Sequence, residues 1–295
     1  MSDQIPGVTV KRIDTACTII CGDSRTVLPG FNGQADLIVT SPPYADARHK
    51  HYDGVHPNDY KQWFMSFHEP FFNALKPDGS LVLNIKDKVV DGIRHRFVWH
   101  TIEALCDLGW YAIDDYIWHK TNPMPGAWPT RLRDGWEYCF HLAKSTRPYF
   151  NADGVRQPIG NWVDSRLKKL GENDLNRHNS SNASGFGRDV SKWVGKDTVR
   201  PSNVLSLAVV GKSKGHPAVY PLDLPSFFIK LLCPEGGLVI DPFAGSGTTG
   251  VAAMNAGRNC VLIDNNEEYC REAISRVIKE GKALHISDNA NGHSA

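Results

Sequence analysis

Short apolar runs closed by Gly, Asp or Pro recur along the chain: "CTIICGD", "ADLIVTSPP", "DGSLVLNIKD", "GGLVIDPF" and "NCVLID". They are too short for helices, and their near-continuous apolar character predicts strands buried on both faces. Between them lie stretches with helical spacing. "NDYKQWFMSFHEPFFNAL" sets its aromatics along one helix face, and "VWHTIEALCDLGW", "LDLPSFFIKLLC" and "TGVAAMNAG" read as further helices, with "YAIDDYIWHK" as another strand. Alternating strands and helices predict an α/β domain with a largely parallel sheet, in which ligands bind outside the carboxyl ends of the strands.

Composition narrows the class. The chain has 295 residues, 41% of them hydrophobic and 22% charged, which suits a globular protein with one large domain or a domain carrying an insertion. No apolar run approaches the roughly 20 residues that span a bilayer, and the amino terminus lacks a signal-peptide pattern, so a cytoplasmic protein is expected. Seven scattered cysteines without a Cys-x-x-Cys pair argue against a disulfide framework and against a structural metal.

The net charge of +1 conceals an uneven distribution. Residues 144–215 hold thirteen Lys and Arg against six Asp and Glu, a balance of +7, which leaves −6 for the remainder. Within that basic segment, "NRHNSSNASGFGRDVSKWVGK" is rich in Ser, Asn and Gly and carries little hydrophobic periodicity. Such a stretch is either a solvated insertion or a nucleic-acid surface, where cations meet phosphates and amides read base edges. Trp162, Phe186 and Trp193 interleave with the cations and favour the second reading.

Two motifs carry candidate chemistry, and both follow predicted strands. In "DPFAGSGTTG", Gly245, Gly247 and Gly250 satisfy G-x-G-x-x-G between a strand and a helix, and Asp264 closes the next strand. This arrangement suits a nucleoside ligand, with the acid on ribose hydroxyls. No Lys follows the glycines, which excludes a P-loop. In "TSPPY", the prolines lack N–H groups, so Ser41, Pro42 and Pro43 present rigid acceptors beside the ring of Tyr44. A nucleobase amine offers the matching pair of donors, and Tyr44 could stack on its ring.

Together these motifs resemble those of the S-adenosylmethionine-dependent amino DNA methyltransferases, which carry a (Ser/Asp/Asn)-Pro-Pro-Tyr loop and an Asp-Pro-Phe-x-Gly-Ser-Gly-Thr-Thr loop. Catalytic loop first, cofactor loop last and a basic segment between is similar to the beta-class order. "CGDS", "WHKTNPMP", "RDGWEYCFHLAK" and "HPAVYPLDLPSFFIKLLCPEGG" extend the resemblance from Cys21 to about Arg276. It implies a Rossmann-like methyltransferase sheet with circularly permuted motif order. Residues 1–144 would form the catalytic half, 145–215 the target-recognition region, 216–284 the cofactor-binding half and 285–295 a flexible tail.

The same resemblance implies roles for residues. Ser41, Pro42, Pro43 and Tyr44 would receive the target base. Asp241, Phe243, Ala244, Gly245, Gly247, Thr248 and Thr249 would hold S-adenosylmethionine, with Asp264 on the ribose and Asp23 near the adenine amine. A valine at Gly247 is expected to abolish cofactor binding with the fold intact. Arg166, Lys168, Lys169, Arg188 and Lys192 are candidate phosphate contacts on double-stranded DNA. The implied enzyme is a site-specific methyltransferase of a bacterial or phage type, nucleoid-associated, acting on cytosine N4 or adenine N6, with a homodimer left open. The alternatives are an RNA or protein-glutamine amino methyltransferase, and a nicotinamide-dependent dehydrogenase using the glycine loop.

Overall fold

The computed structural model describes residues 9–12, 17–45, 54–126, 128–159, 196–210 and 220–290, with backbone alone for 9–12 and 281–290. Two compact units are present, Met1–Asn151 with Asn203–Ala295 and, separately, Ala152–Ser202.

The larger unit is built on a nine-stranded sheet. Its strands are β1 (Thr9–Arg12), β2 (Cys17–Cys21), β3 (Ala35–Thr40), β4 (Leu75–Ile85), β7 (Tyr111–Lys120), β8 (Trp136–Ala143), β11 (Val204–Leu207), β12 (Leu238–Asp241) and β13 (Asn259–Asp264). They lie side by side in the order β1-β2-β13-β12-β3-β4-β8-β7-β11. The centre, from β2 through β13, β12 and β3 to β4, is parallel throughout. The sheet as a whole is more mixed than the apolar pattern predicts, because β8 pairs antiparallel with both β4 and β7, and β1 pairs antiparallel with β2.

Period-two alternation sends successive side chains to opposite faces. Ile38 of β3, Leu81 and Leu83 of β4 and Val261 and Ile263 of β13 join one core. That core also holds Tyr60 and Phe64 of α2 (Pro57–Met65), Phe71 of α3 (His68–Ala74) and Phe97, Val98 and Leu105 of α4 (Phe97–Asp107), the helices that follow the short α1 (Ser24–Val27). Leu37, Val82 and Leu262 face the other way and are equally buried. On that side lie α5 (Asp223–Leu232), α6 (Thr248–Asn255) and α7 (Glu267–Ala290); Leu262 reaches Gly250 so closely that a methyl group there would stand 2.5 Å from it.

One predicted helix is two. The stretch from Asn58 to Leu75 breaks between α2 and α3, where the Ser66 hydroxyl donates to the Trp63 carbonyl at 2.7 Å. Pro70 cannot donate to an i−4 carbonyl, so it is tolerated only in the first turn of a new helix, where it stands. A hairpin, β5 (Val89–Val90) and β6 (Ile93–Arg94), turns through Asp91 and Gly92, both at positive φ, as a two-residue primed turn requires. In the smaller unit β9 (Gln157–Pro158) pairs antiparallel with β10 (Thr198–Val199), and Arg156 ties the pair by donating to the Thr198 carbonyl at 2.9 Å.

Candidate active site

Strand order reverses between β3 and β12: the chain runs outward from β3 to β4 on one side and from β12 to β13 on the other. A crevice opens at the carboxyl ends of these strands. The antiparallel β8 delivers its amino-terminal residues to the same edge. The result is a cavity of about 730 Å³ that both motifs line.

The two motif loops are braced through Asp241, which is fully buried. Its Oδ1 accepts from the Thr40 hydroxyl at 2.6 Å and from the Phe243 N–H at 3.1 Å, while Oδ2 accepts from the Tyr220 hydroxyl at 3.1 Å and from the Thr249 hydroxyl. Burial raises the Asp241 carboxyl above its ordinary value against the pull of these donors. Asp241, Gly247 and Thr249 stand behind the cavity wall rather than on it, so their part here is to shape the loop. On the wall are Asp23, Phe243, Ala244, Gly245, Thr248 and Asp264.

The glycine turn fits a nucleoside-bearing ligand. Gly245 has φ +51, and a Cβ built on it meets nothing within 4 Å, so the backbone borders open space there. Gly247, at φ +79, differs: a Cβ would lie 3.0 Å from that of Ala273 in α7. A side chain at Gly247 therefore disturbs packing, contrary to the expectation of an intact fold. Asp264 accepts from the Gly245 N–H at 2.9 Å and from the Asn266 N–H at 2.9 Å, which makes it the clasp of the turn as well as a wall residue.

Aromatic rings face this end of the cavity. Trp63 and Phe67 line it, with Phe67 packed 5.1 Å from Phe243 and 5.2 Å from the Arg25 guanidinium. Asp23 caps α1 by accepting from the Arg25 N–H at 2.9 Å, and hydrogen bonds from Arg25 hold its carboxyl below the usual range. Aromatic rings and an acidic group thus border the same end of the cavity, chemistry that can hold a purine ring.

At the other end stand Ser41, Pro42, Pro43 and Tyr44. Tyr60 pins the loop from α2 by donating to the Pro43 carbonyl at 2.9 Å. The Ser41 hydroxyl donates to the Tyr44 oxygen at 3.2 Å, which leaves its lone pairs as acceptors. Tyr44 in turn donates to Glu137 Oε2 at 2.7 Å, with Asn84 Oδ1 3.3 Å away. Burial first, and then the Glu137 carboxylate, push the Tyr44 hydroxyl well above its ordinary value, so it remains a neutral donor.

Glu137 is itself held by Lys120, whose Nζ lies 2.5 Å from Oε1 and 4.9 Å from the centre of the Trp118 ring. Sequence reading places none of Asn84, Trp118, Lys120 and Glu137 in the site, yet all four line it. The signal available was a resemblance of "WHKTNPMP" and "RDGWEYCFHLAK" to family strands. Arg166, Lys168, Lys169, Arg188 and Lys192 lie outside the described residues. Among the described residues no group of three or more His, Cys, Asp or Glu could hold a metal ion, and no helix is long and apolar enough to cross a membrane.

A glycine turn beside an aromatic slot faces a Ser-Pro-Pro-Tyr loop across one cavity, and the N6/N4 methyltransferase family, described as DNA methylase, matches residues 35–275. The chain belongs to the amino DNA methyltransferases. This methyltransferase is S-adenosylmethionine-dependent, and its Ser-Pro-Pro-Tyr loop precedes its glycine-rich loop. It is 28% identical over 281 residues to the Type II methyltransferase M.PvuII of Proteus hauseri, covering 87% of this chain and 82% of that one. To the Type II methyltransferase M.SmaI of Serratia marcescens it is 27% identical over 299 residues, covering 90% and 91%. Among solved structures, the cytosine-N4-specific PvuII DNA methyltransferase shares the fold with a TM-score of 0.66 at 23% identity, over 90% of this chain and 92% of that one. The M1.HpyAVI–SAM complex follows at 0.55 and 23%, over 88% and 99%.

Proposed function

We propose that this methyltransferase modifies the N4 amine of a cytosine flipped from duplex DNA into the pocket bounded by Ser41, Tyr44, Asn84 and Glu137. The observation that carries the reading is Ser41, a neutral acceptor that opens on the same cavity as the glycine turn. An exocyclic amine is a poor nucleophile because its lone pair is delocalised into the ring. An acceptor at Ser41, with the Pro42 carbonyl, draws the nitrogen towards tetrahedral geometry and localises that pair. S-adenosylmethionine, when bound, supplies the methyl group as an activated electrophile. Positioning and electrostatics are the protein's main contributions.

Lys120 supports cytosine over adenine. Beside its amine cytosine carries two acceptors, N3 and O2, where adenine carries N1 and a C–H. An ammonium has three donors, and Glu137 occupies one, so Lys120 has capacity for the cytosine edge. Similarity to the cytosine-N4-specific PvuII DNA methyltransferase points the same way. In this reading Gly245, Phe243, Ala244 and Thr248 border the cofactor, Asp264 and Asp23 approach its ribose and adenine, and the basic segment 145–215 selects the DNA sequence, with Arg166, Lys168, Lys169, Arg188 and Lys192 on phosphates.

Mass spectrometry of nucleosides from DNA incubated with the protein and labelled S-adenosylmethionine tests the base. N4-methylcytosine is expected, and N6-methyladenine alone would overturn the cytosine assignment while leaving the family intact. Ser41→Ala should slow single-turnover methyl transfer by about tenfold or more, as loss of one well-placed hydrogen bond does, with duplex binding little changed.

A further inference from the structure

We infer that the β7–β8 connection, through its described residues 121–126 and 128–135, is a wedge that enters the DNA duplex where the target base leaves it, with Leu132 as the inserted side chain. Leu132 is 89% exposed, the most exposed large apolar side chain among the described residues, and Met124 at 73% and Trp128 at 41% share the same connection. Exposed apolar side chains gathered on one short segment mark a surface that meets a partner.

Three observations make that partner a DNA duplex. The connection leaves Lys120 and returns at Trp136, immediately before Glu137, so Lys120 at one root and Glu137 one residue past the other are walls of the base pocket, and Met124 lines that pocket too. Its charge is basic: from Lys120 to Trp136 it carries Lys120, Arg131 and Arg133 against Asp134 alone. The third is stiffness. Pro123, Pro125 and Pro129 restrict the backbone, and Asn122 trades hydrogen bonds with Val209, donating to its carbonyl at 3.1 Å and accepting from its N–H at 2.6 Å. Asp134 is gripped by Arg94 at 2.7 Å and Lys86 at 3.1 Å, while the Arg131 guanidinium lies 4.3 Å over the Trp128 ring.

A flipped base leaves a gap in the stack and an unpaired partner behind it. An apolar side chain inserted there offsets part of the unstacking cost, provided its backbone is held and flanking cations meet the phosphates. Leu132 between Arg131 and Arg133 has this pattern. The inference rests on the base pocket proposed above.

The experiment compares wild type, Leu132→Ala and Leu132→Met in single-turnover methyl transfer on two synthetic duplexes built on a site mapped by sequencing DNA the enzyme has modified. One duplex is fully paired; in the other the target base is mispaired and already loosened. Leu132→Ala should lose about tenfold on the paired duplex and come within about twofold of wild type on the mispaired one, because the barrier it helps to cross has been lowered in advance. Leu132→Met should keep most of the rate. Unchanged S-adenosylmethionine affinity reports an intact fold for each variant. An equal loss on both duplexes would overturn the wedge, and so would no loss on the paired one, which would assign the patch to a partner other than DNA. A wrong pocket shows separately, as a wild-type rate for Ser41→Ala whatever Leu132 does.

Discussion

Tyr44 is held at both ends, its backbone by the rigid prolines and its hydroxyl by Glu137, and that double restraint fixes its ring where the proposed base would stack. Tyr44→Phe keeps the ring and removes the tether, so it should slow methyl transfer less than Tyr44→Ala does, and stopped-flow rates on one duplex would rank the two. Because burial and Glu137 raise the hydroxyl well above its ordinary 10.0, the rate should show no fall from Tyr44 ionisation as pH rises to 10.0. A fall at lower pH that disappears in Tyr44→Phe would refute this. Glu137 and Lys120 are nearly enclosed, with side chains 7% and 13% exposed, so removing one strands the other's charge. Glu137→Ala should destabilise the protein by about 3 kcal/mol or more, measurable by denaturant unfolding, whereas an exposed pair such as Arg271–Glu267 should matter little. Ser41-Pro42-Pro43-Tyr44 was legible because its rarity lies in consecutive residues. Asn84, Lys120 and Glu137 are ordinary residue types brought together only by the pairing of β4, β8 and β7, and no local pattern records that meeting.

Among the elements, those buried on both faces were the easiest to read. All six residues of β3 are buried, as are five of the six in β13, so the apolar runs translate directly into central parallel strands. The edge strands were less legible in direction: β7 is half exposed, and neither its composition nor that of β8 says that the two run antiparallel. The α2–α3 break needed attention to Pro70 rather than to the aromatic period. The glycine turn shows how two glycines of one motif divide the work. Gly245→Val places its side chain in open cavity and should weaken S-adenosylmethionine binding with a modest loss of stability, about 1–2 kcal/mol from the left-handed backbone. Gly247→Val adds an overpacking cost of about 1–3 kcal/mol against Ala273 to the same backbone strain and should be the less stable variant. Calorimetry for binding and thermal unfolding for stability separate the two effects. A Gly247→Val protein as stable as Gly245→Val would contradict the packing argument.

Across the whole molecule, charge and chemistry are segregated. The Ser-Pro-Pro-Tyr and glycine-rich loops belong to the larger unit, whose strands converge on one cavity, whereas the +7 balance is concentrated in residues 144–215, around the unit Ala152–Ser202. On the proposed role of the basic segment, segregation of this kind would let sequence choice change without disturbing the sheet. It also makes specificity and catalysis separable by experiment. Neutralising Lys168 and Lys169 together, as Lys168→Gln with Lys169→Gln, should weaken binding to every duplex alike and flatten the dependence of affinity on salt, with the log–log slope falling by about 0.9 for each phosphate that no longer meets a cation. S-adenosylmethionine affinity should not move, because the glycine turn proposed to border the cofactor is formed within the other unit. Deleting residues 176–196 should go further and relax the choice of site, which sequencing of methylated random DNA would record. A deletion variant that binds cofactor and still marks the same sites at the wild-type rate would place recognition elsewhere, and the β7–β8 connection, with its own Arg131 and Arg133, would become the first place to look for it.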